Sequence, residues 1–372
     1  MPKSITITRT EGNPGAVYYP LSLNTSASNN PPTPPPNHLL IKLSAAALNH
    51  RDLFIRQQLY PGISFDCPLL ADGVGTVVSA GEGGAGAEWV GKRVVLSPGK
   101  GWESSPDGPE EGDYQIFGGT KNDGNVGMLQ EYVILPTSLV EEAPTHLSNA
   151  EAAALPLTGL TAWRALISKG GDRNSRDGAR VLITGIGGGV ALMALRFAVA
   201  RGAEVWVTSG DEGKIRRAVE EMGAKGGVSY KEEKWERKLL GMLPEGEGRR
   251  RREFDLIVDG AGGDVVEKGA RLLKPGGVIS IYGMTVSPKM PWLMQATLKN
   301  IDLKGSTMGS RKEFKEMVEF VRQKEVRPVV SRVVQGLDNI EGIDGLFEDM
   351  KNGSQFGKLV VEFGGDGNGS KL

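Results

Sequence analysis

Apolar and polar positions along this chain change rhythm near residue 148. Ahead of that point the signals are short. Residues 1–7 alternate in the manner of a strand, LLIKLSAAALN reads as a buried strand, and GKRVVLSP and MLQEYVILP read as two more. PLLADGVGTVVSAGEG reads as strand and turn, and HRDLFIRQQLY opens with a short helix. Turn residues at short spacing between such runs predict a mainly β region. Two segments break the pattern. Residues 24–37 (NTSASNNPPTPPPN) are polar and proline-rich, which disfavours helix and central strand and predicts an exposed, mobile loop between two strands. Residues 97–125, rich in Gly, Asp and Pro, predict a long surface excursion.

From SNAEAAALPLTGLTAWRALI onward helical signals enter, with Ser148 or Asn149 placed as N-cap and Glu151 following. Strands RVLITG, EVWVTS, FDLIVDGAG and VISIYG then alternate with helices VALMALRFAVARGA, DEGKIRRAVEEMGA and DVVEKGARLLKPGG. Such alternation implies βαβ units around a parallel sheet. From Gly309 the chain returns to a helix (RKEFKEMVEFVRQKE), two strands (VRPVVSRVV and KLVVEF) and a tail, GGDGNGSKL, expected to fray. The fold class is therefore α/β, and 372 residues point to two domains.

Composition removes several function classes. A net charge of −1 gives no bulk attraction to nucleic acid or to an anionic membrane, and the basic run GRRRRE at 248–253 reads as a solvated loop cluster. The one cysteine, Cys67, rules out an internal disulfide and every multi-cysteine zinc site. The N-terminus lacks the apolar stretch of a signal peptide, and no apolar run approaches the ~20 residues of a membrane span. The expectation is a soluble, cytoplasmic protein. Three histidines (His38, His50, His146) offer little to a Ser–His–Asp arrangement.

The strongest chemical signal is RVLITGIGGGVALMALRFA. A strand delivers the chain into Gly185, Gly187, Gly188 and Gly189, and a helix follows at once through Val190 and Ala191. Glycines let backbone approach a pyrophosphate closely, and the helix start supplies free N–H groups and partial positive charge. This strand–turn–helix context points to a Rossmann dinucleotide site; a glycine-rich turn without a ligand is the plainer alternative. NAD-specific sheets carry an Asp or Glu about 20 residues further on for the ribose 2′-OH. Here EVWVTS ends in Ser209, with Lys214 and Arg216 following, a hydroxyl and cations suited to a 2′-phosphate. Asp211 and Glu212 fit the start of a helix, where its dipole favours them. The cofactor expected is NADP(H).

Taken together, ALNHRDLFIRQQLYPG, PLLADGVGTVVSAGEG, VGKRVV, LQEYVILP, AAALPLTGLTAWRAL, VLITGIGGGVA and DGAGGDVVEKGARLLKPGGVISIYG resemble the medium-chain dehydrogenase/reductase superfamily, most closely its zinc-free quinone-oxidoreductase-like branch. The resemblance implies a β-rich, GroES-like catalytic domain over 1–157 and 308–372, and a Rossmann NADP-binding domain, a doubly wound parallel sheet, over 158–307. Where zinc-dependent relatives hold catalytic zinc, this chain has Asn49, Ala71 and Leu157, with Asp72 at the position of an acid beside the metal. Where they carry four cysteines for a structural zinc, residues 97–125 have none, so no metal is expected.

By the same resemblance Asn49 and Tyr60 lie near nicotinamide and acceptor, as a positioning donor and as a donor or wall; a turn or cap residue opening the next helix and a packing aromatic are the plainer alternatives. His50 and Arg51 approach cofactor phosphates or ribose, and Thr161 bonds the nicotinamide amide or ribose. Gly283 and Met284 follow a strand at the carboxyl edge of the sheet, and Lys358 reaches toward the cofactor. Trp102, Trp292, Met290, Met294 and Met308 line an apolar pocket or, more plainly, belong to the core. The implied activity is hydride transfer from NADPH to a small-molecule acceptor, a quinone or an α,β-unsaturated carbonyl. An enoyl-thioester or pathway-specific reductase and a non-catalytic NADPH-binding protein stay open. A homodimer is the expected assembly, with VISIYG and MTVSPKMPWLMQAT as its sheet edge.

Overall fold

The computed structural model describes residues 1–28, 31–84, 86–110, 112–244, 252–287 and 289–364. The tail at 365–372 and most of the basic run at 248–253 lie outside them. The chain divides into two compact units, Met1–Leu157 with Ser310–Leu372, and Thr158–Gly309.

The first unit begins with β1 (Lys3–Ile7) paired to β2 (Leu21–Thr25). β3 (His38–Ala47), α1 (His50–Arg56), β4 (Asp72–Ala80), β5 (Arg93–Leu96), β6 (Gly99–Lys100), β7 (Gln115–Ile116), β8 (Tyr132–Pro136) and β9 (Val140–Glu142) follow, then α2 (Asn149–Ala154). The described part of the proline-rich segment spans β2 to β3 as a largely exposed connection, with Pro34 turned inward. Ser148 is the N-cap of α2: its hydroxyl accepts the Glu151 N–H, and the Glu151 carboxylate accepts the Ser148 N–H.

Residues 97–125 are in part the surface excursion expected: the described residues of 103–116 are exposed or half-exposed, while both ends of the segment turn inward. Trp102, Phe117 and Thr120 are buried, and the Glu110 carboxylate accepts the backbone N–H groups of Glu103, Ser104 and Ser105 at 2.6–2.7 Å. Those three N–H groups hold Glu110 well below the ordinary carboxylate range, at about 2.

The second unit starts with α3 (Pro156–Trp163), which overlaps the boundary and runs into a π-helical turn, Arg164–Lys169. Then come α4 (Asp172–Ser175), β10 (Arg180–Ile183), α5 (Gly189–Ala200), β11 (Glu204–Ser209), α6 (Glu212–Met222), β12 (Gly226–Ser229) and α7 (Trp235–Met242). β13 (Phe254–Asp259), α8 (Val265–Leu272), β14 (Leu273–Ile281), α9 (Met294–Leu298) and β15 (Asp302–Gly305) complete it. Six strands pair, all in parallel, in the order β12-β11-β10-β13-β14-β15. This doubly wound order reverses between β10 and β13, the place where such sheets bind ligands. Apolar side chains including Leu182, Trp206, Trp235, Leu239, Phe254 and Ile257 form its core.

Two expectations need correcting. LKPGG is strand, not helix, because β14 begins at Leu273 and pairs there with Phe254 across a bulge. VISIYG is not the sheet edge either: β15 lies outside β14.

The chain closes the first unit with α10 (Arg311–Lys324), β16 (Val330–Gln335), α11 (Ile340–Asn352) and β17 (Lys358–Glu362). β17 pairs antiparallel with β3, and the sheet runs β16-β17-β3-β4-β5-β9, with β8 also on β3. Among the described residues no helix is long and apolar enough to cross a membrane.

Candidate functional site

Register brings three polar side chains together in the first unit. Ala47, the last residue of β3, pairs with Asp72 on one side and Val360 on the other. Asn49, which follows β3, Asp72, which opens β4, and Lys358, which opens β17, thus share one end of the sheet. Each is at most 5% exposed. The Lys358 ammonium donates to Asn49 Oδ1 at 2.6 Å and to Asp72 Oδ2 at 2.9 Å. Asn49 Nδ2 donates to the same Asp72 oxygen at 2.9 Å, and the Leu157 N–H donates to Asp72 Oδ1 at 2.8 Å. A buried carboxylate is tolerable only when charge-paired and hydrogen-bonded in this way.

Beside this cluster stands α1. The Asp52 carboxylate accepts the Asn49 backbone N–H, and burial pushes it up to about 6. Arg51 is buried against the loop at 117–120. Its Nη1 donates to the Phe117 and Gly118 carbonyls at 2.8 and 2.9 Å, and its Nη2 to Thr120 Oγ1 at 3.1 Å. The guanidinium also lies 4.9 Å from the centroid of the Tyr60 ring. His50 keeps part of its surface accessible, while the protein packed around the imidazole and the nearby Lys358 charge disfavour its protonated form.

In the second unit, the chain leaves β10 through Gly185 and Gly187, whose φ values of +64° and +125° suit glycine. Gly188 then caps α5 without a side chain. A Cβ on Gly185 or Gly188 would meet nothing within 4 Å, so this turn is an open backbone cradle ending on the free N–H groups of a helix. Gly189 and Val190 begin that helix, half-exposed. Thr184 Oγ1 donates to Asp259 Oδ1 across the switch point, tying β10 to β13.

The outlines of known proteins fit this frame. The zinc-binding dehydrogenase family model matches residues 189–323, and the alcohol dehydrogenase GroES-like domain model matches residues 35–145. The zinc-type alcohol dehydrogenase-like protein YogA of Leptosphaeria maculans is 49% identical over 97% of this chain and 100% of its own length. The chain belongs to the medium-chain dehydrogenase/reductase superfamily of oxidoreductases.

Within that superfamily, an acryloyl-coenzyme A reductase of Metallosphaera sedula is 27% identical over 89% of this chain and 93% of its own. A crystal structure of an NAD-dependent alcohol dehydrogenase, 29% identical, superposes with a TM-score of 0.77 over 97% of this chain and 100% of that one.

Several members of the expected site sit differently from the medium-chain pattern read in the sequence. Arg51, expected at cofactor phosphates or ribose, has Nη1 and Nη2 bonded to the loop at 117–120. Lys358, expected at the cofactor, has its ammonium on Asn49 and Asp72. Ser209 is buried, and its hydroxyl donates to the Ile186 carbonyl while accepting the Asp211 N–H, which makes it a brace for the glycine turn. Thr161 is buried in α3, with Oγ1 3.8 Å from Met308 Sδ. Gly283 lies against the Gly260 carbonyl at the carboxyl end of the sheet, and Met284 beside it is exposed.

The aromatic and methionine set divides by burial. Trp102 is core in the first unit, Met290 packs on the core of the second, and Trp292 and Met294 are exposed.

Two residues near the glycine turn went unread in the sequence. A Cβ on Gly210 would lie 2.5 Å from the Tyr230 hydroxyl and 3.0 Å from Lys231 Cε. Lys214 reaches back similarly, its Cδ 2.8 Å from where a Cβ on Gly187 would stand. Asp211, by contrast, turns its carboxylate onto the Gly213 and Lys214 N–H groups as the cap of α6. A signal existed in SYK at the end of the third strand, had that strand been recognised.

Proposed function

We propose that this protein is a zinc-independent, NADPH-dependent reductase that delivers hydride to a quinone or an α,β-unsaturated carbonyl compound. The observation that carries the reading is the Asn49–Asp72–Lys358 cluster. Zinc needs three or four lone-pair donors at short range. At the positions matched to zinc ligands, the chain offers a carboxamide, an alanine and a leucine, and an ammonium already sits on the one carboxylate. Such a donor set does not fit the metal. Among the described residues no group of three His, Cys, Asp or Glu side chains gathers elsewhere.

In this reading the first unit is the catalytic domain and the second holds the nucleotide. The open glycine cradle at the start of α5 fits a pyrophosphate. Lys231 and the Tyr230 hydroxyl crowd Gly210 just past β11 and Lys214 reaches Gly187 in the glycine turn, while the Asp211 carboxylate is engaged as a cap. That balance favours a 2′-phosphate over a bare ribose, although one similar solved structure is described as NAD-dependent. NADPH supplies the hydride. The second Asn49 Nδ2–H and the Tyr60 hydroxyl would serve as donors to the acceptor oxygen, where negative charge would gather.

Similarity to an acryloyl-coenzyme A reductase supports a second reading, an enoyl-thioester substrate with the same charge development on oxygen. The exposed apolar side chains flanking and on edge strand β15 support a homodimer. Titrating the protein with NADPH and NADH by nicotinamide fluorescence, with metal analysis of the same sample, tests the reading. At least about tenfold (~1.4 kcal/mol) preference for NADPH and turnover of menadione or methyl vinyl ketone without zinc are expected. Stoichiometric zinc, or binding of neither nucleotide, overturns it.

A further inference from the structure

The carboxamide of Asn49 has two ends that differ only in chemistry, and its usefulness as a donor depends on which faces where. We infer that Lys358 is the positioning residue that decides this. An ammonium can only donate and a carboxylate can only accept. Because Lys358 Nζ stands 2.6 Å from one end of the carboxamide and Asp72 Oδ2 stands 2.9 Å from the other, the orientation is forced: oxygen to Lys358, nitrogen to Asp72. A flipped amide would set N–H against ammonium and oxygen against carboxylate, among side chains that are each at most 5% exposed.

The consequence is a single remaining N–H. Asn49 Nδ2 carries two protons, and Asp72 takes one. The other is held as a donor at all times, never replaced by the oxygen of the flipped form. Lys358 also draws electron density from Oδ1, which strengthens the opposite N–H as a donor. Asp72 acts as the counter-ion, its second oxygen fixed by the Leu157 N–H at 2.8 Å. Adjacency of β17, β3 and β4 in the sheet brings these residues together although 309 positions separate Lys358 from Asn49.

The inference rests on the reading of Asn49 as donor to the acceptor oxygen, and the experiment separates the two. Asn49→Ala, Lys358→Gln, Lys358→Arg, the neutral pair Asp72→Asn with Lys358→Gln, and the combination of Asn49→Ala with Lys358→Gln are compared by kcat and KM with menadione, by NADPH titration and by thermal unfolding. Lys358→Gln leaves Asp72 without its counter-ion and lowers the unfolding temperature, while the neutral pair restores it. In both, kcat falls about 10- to 100-fold with NADPH affinity within about twofold of the parent, and Lys358→Arg recovers part of the loss. Because Lys358 acts through Asn49, adding Lys358→Gln to Asn49→Ala costs little further rate. Full kcat in the neutral pair, or losses that multiply in the combination, overturn the positioning role. Full kcat in Asn49→Ala overturns the donor reading itself, whatever the lysine variants do.

Discussion

The Asp52 carboxylate accepts the backbone N–H of Asn49 at 2.7 Å from a fully buried position. Burial raises it to about 6 from an ordinary 3.8, against the lowering pull of Arg51, the Asn49 N–H and Lys358. A carboxyl that binds its proton more tightly when folded favours the fold in its protonated form. Its contribution is therefore most favourable below about pH 4, declines as pH rises to about 6, and is flat beyond that. Asp52→Asn keeps an oxygen for the Asn49 N–H but cannot ionise. It is expected to exceed the parent in stability at pH 8 by on the order of 2 kcal/mol and to lack the decline. Urea unfolding across the pH range measures both, and parallel curves for parent and variant would sink the assignment.

Arg51 illustrates how a conspicuous cation becomes structural. Its guanidinium joins α1 to the carbonyls of Phe117 and Gly118 and to Thr120, and pairs with Asp52 at 3.2 Å. Arg51→Met removes these bonds and leaves a buried carboxylate with one charge partner fewer. The expected loss is about 3 kcal/mol of stability, with the loop at 117–120 newly open to hydrogen exchange and NADPH affinity unchanged. A variant that keeps its stability but binds NADPH poorly would return Arg51 to the cofactor.

What the chain made legible follows from how far each signal reaches. RVLITG, EVWVTS and FDLIVDGAG stand out because strands buried on both faces need continuous apolar runs, and the glycine turn stands out because its demands are local. β12 escaped notice because its GGVS has almost no apolar content; Gly226 is there because a Cβ would lie 2.5 Å from the Trp206 ring. β15, DLKG, is a polar edge and equally silent. Asn49 and Asp72 were visible by resemblance, but the ammonium that organises them comes from the last strand, and no local pattern announces a partner 309 positions away.

The cations around the glycine turn predict a graded nucleotide preference. Lys214 and Lys231 approach Gly187 and Gly210 respectively, and neither contact involves the nicotinamide end by this reading. Replacing both by alanine is expected to weaken NADPH about 10- to 100-fold and NADH less than about threefold, since charge-assisted bonds to a phosphate contribute roughly 1.5–3 kcal/mol. Fluorescence titration of the two nucleotides reads the ratio directly. Equal weakening of both would place the lysines on the shared pyrophosphate instead.

The outer strand of the parallel sheet carries the last prediction. Among the described residues β15 pairs with a strand on one side only, and an edge of this kind presents unpaired backbone groups. On α9, which precedes the strand, Leu298 and Met294 are 77% and 70% exposed, and Leu303, on the strand itself, is 41% exposed. Large apolar side chains grouped beside an open strand edge are costly in water unless covered. A second copy of the same edge, related by a two-fold axis, covers both the backbone and the leucines at once. The parent is therefore expected to sediment as a dimer at micromolar concentration. Leu298→Glu with Leu303→Lys should sediment as a monomer with unchanged circular dichroism. Because none of the glycine-turn residues is altered, NADPH binding should persist in that monomer. A parent that sediments as a monomer would leave the edge to some other partner.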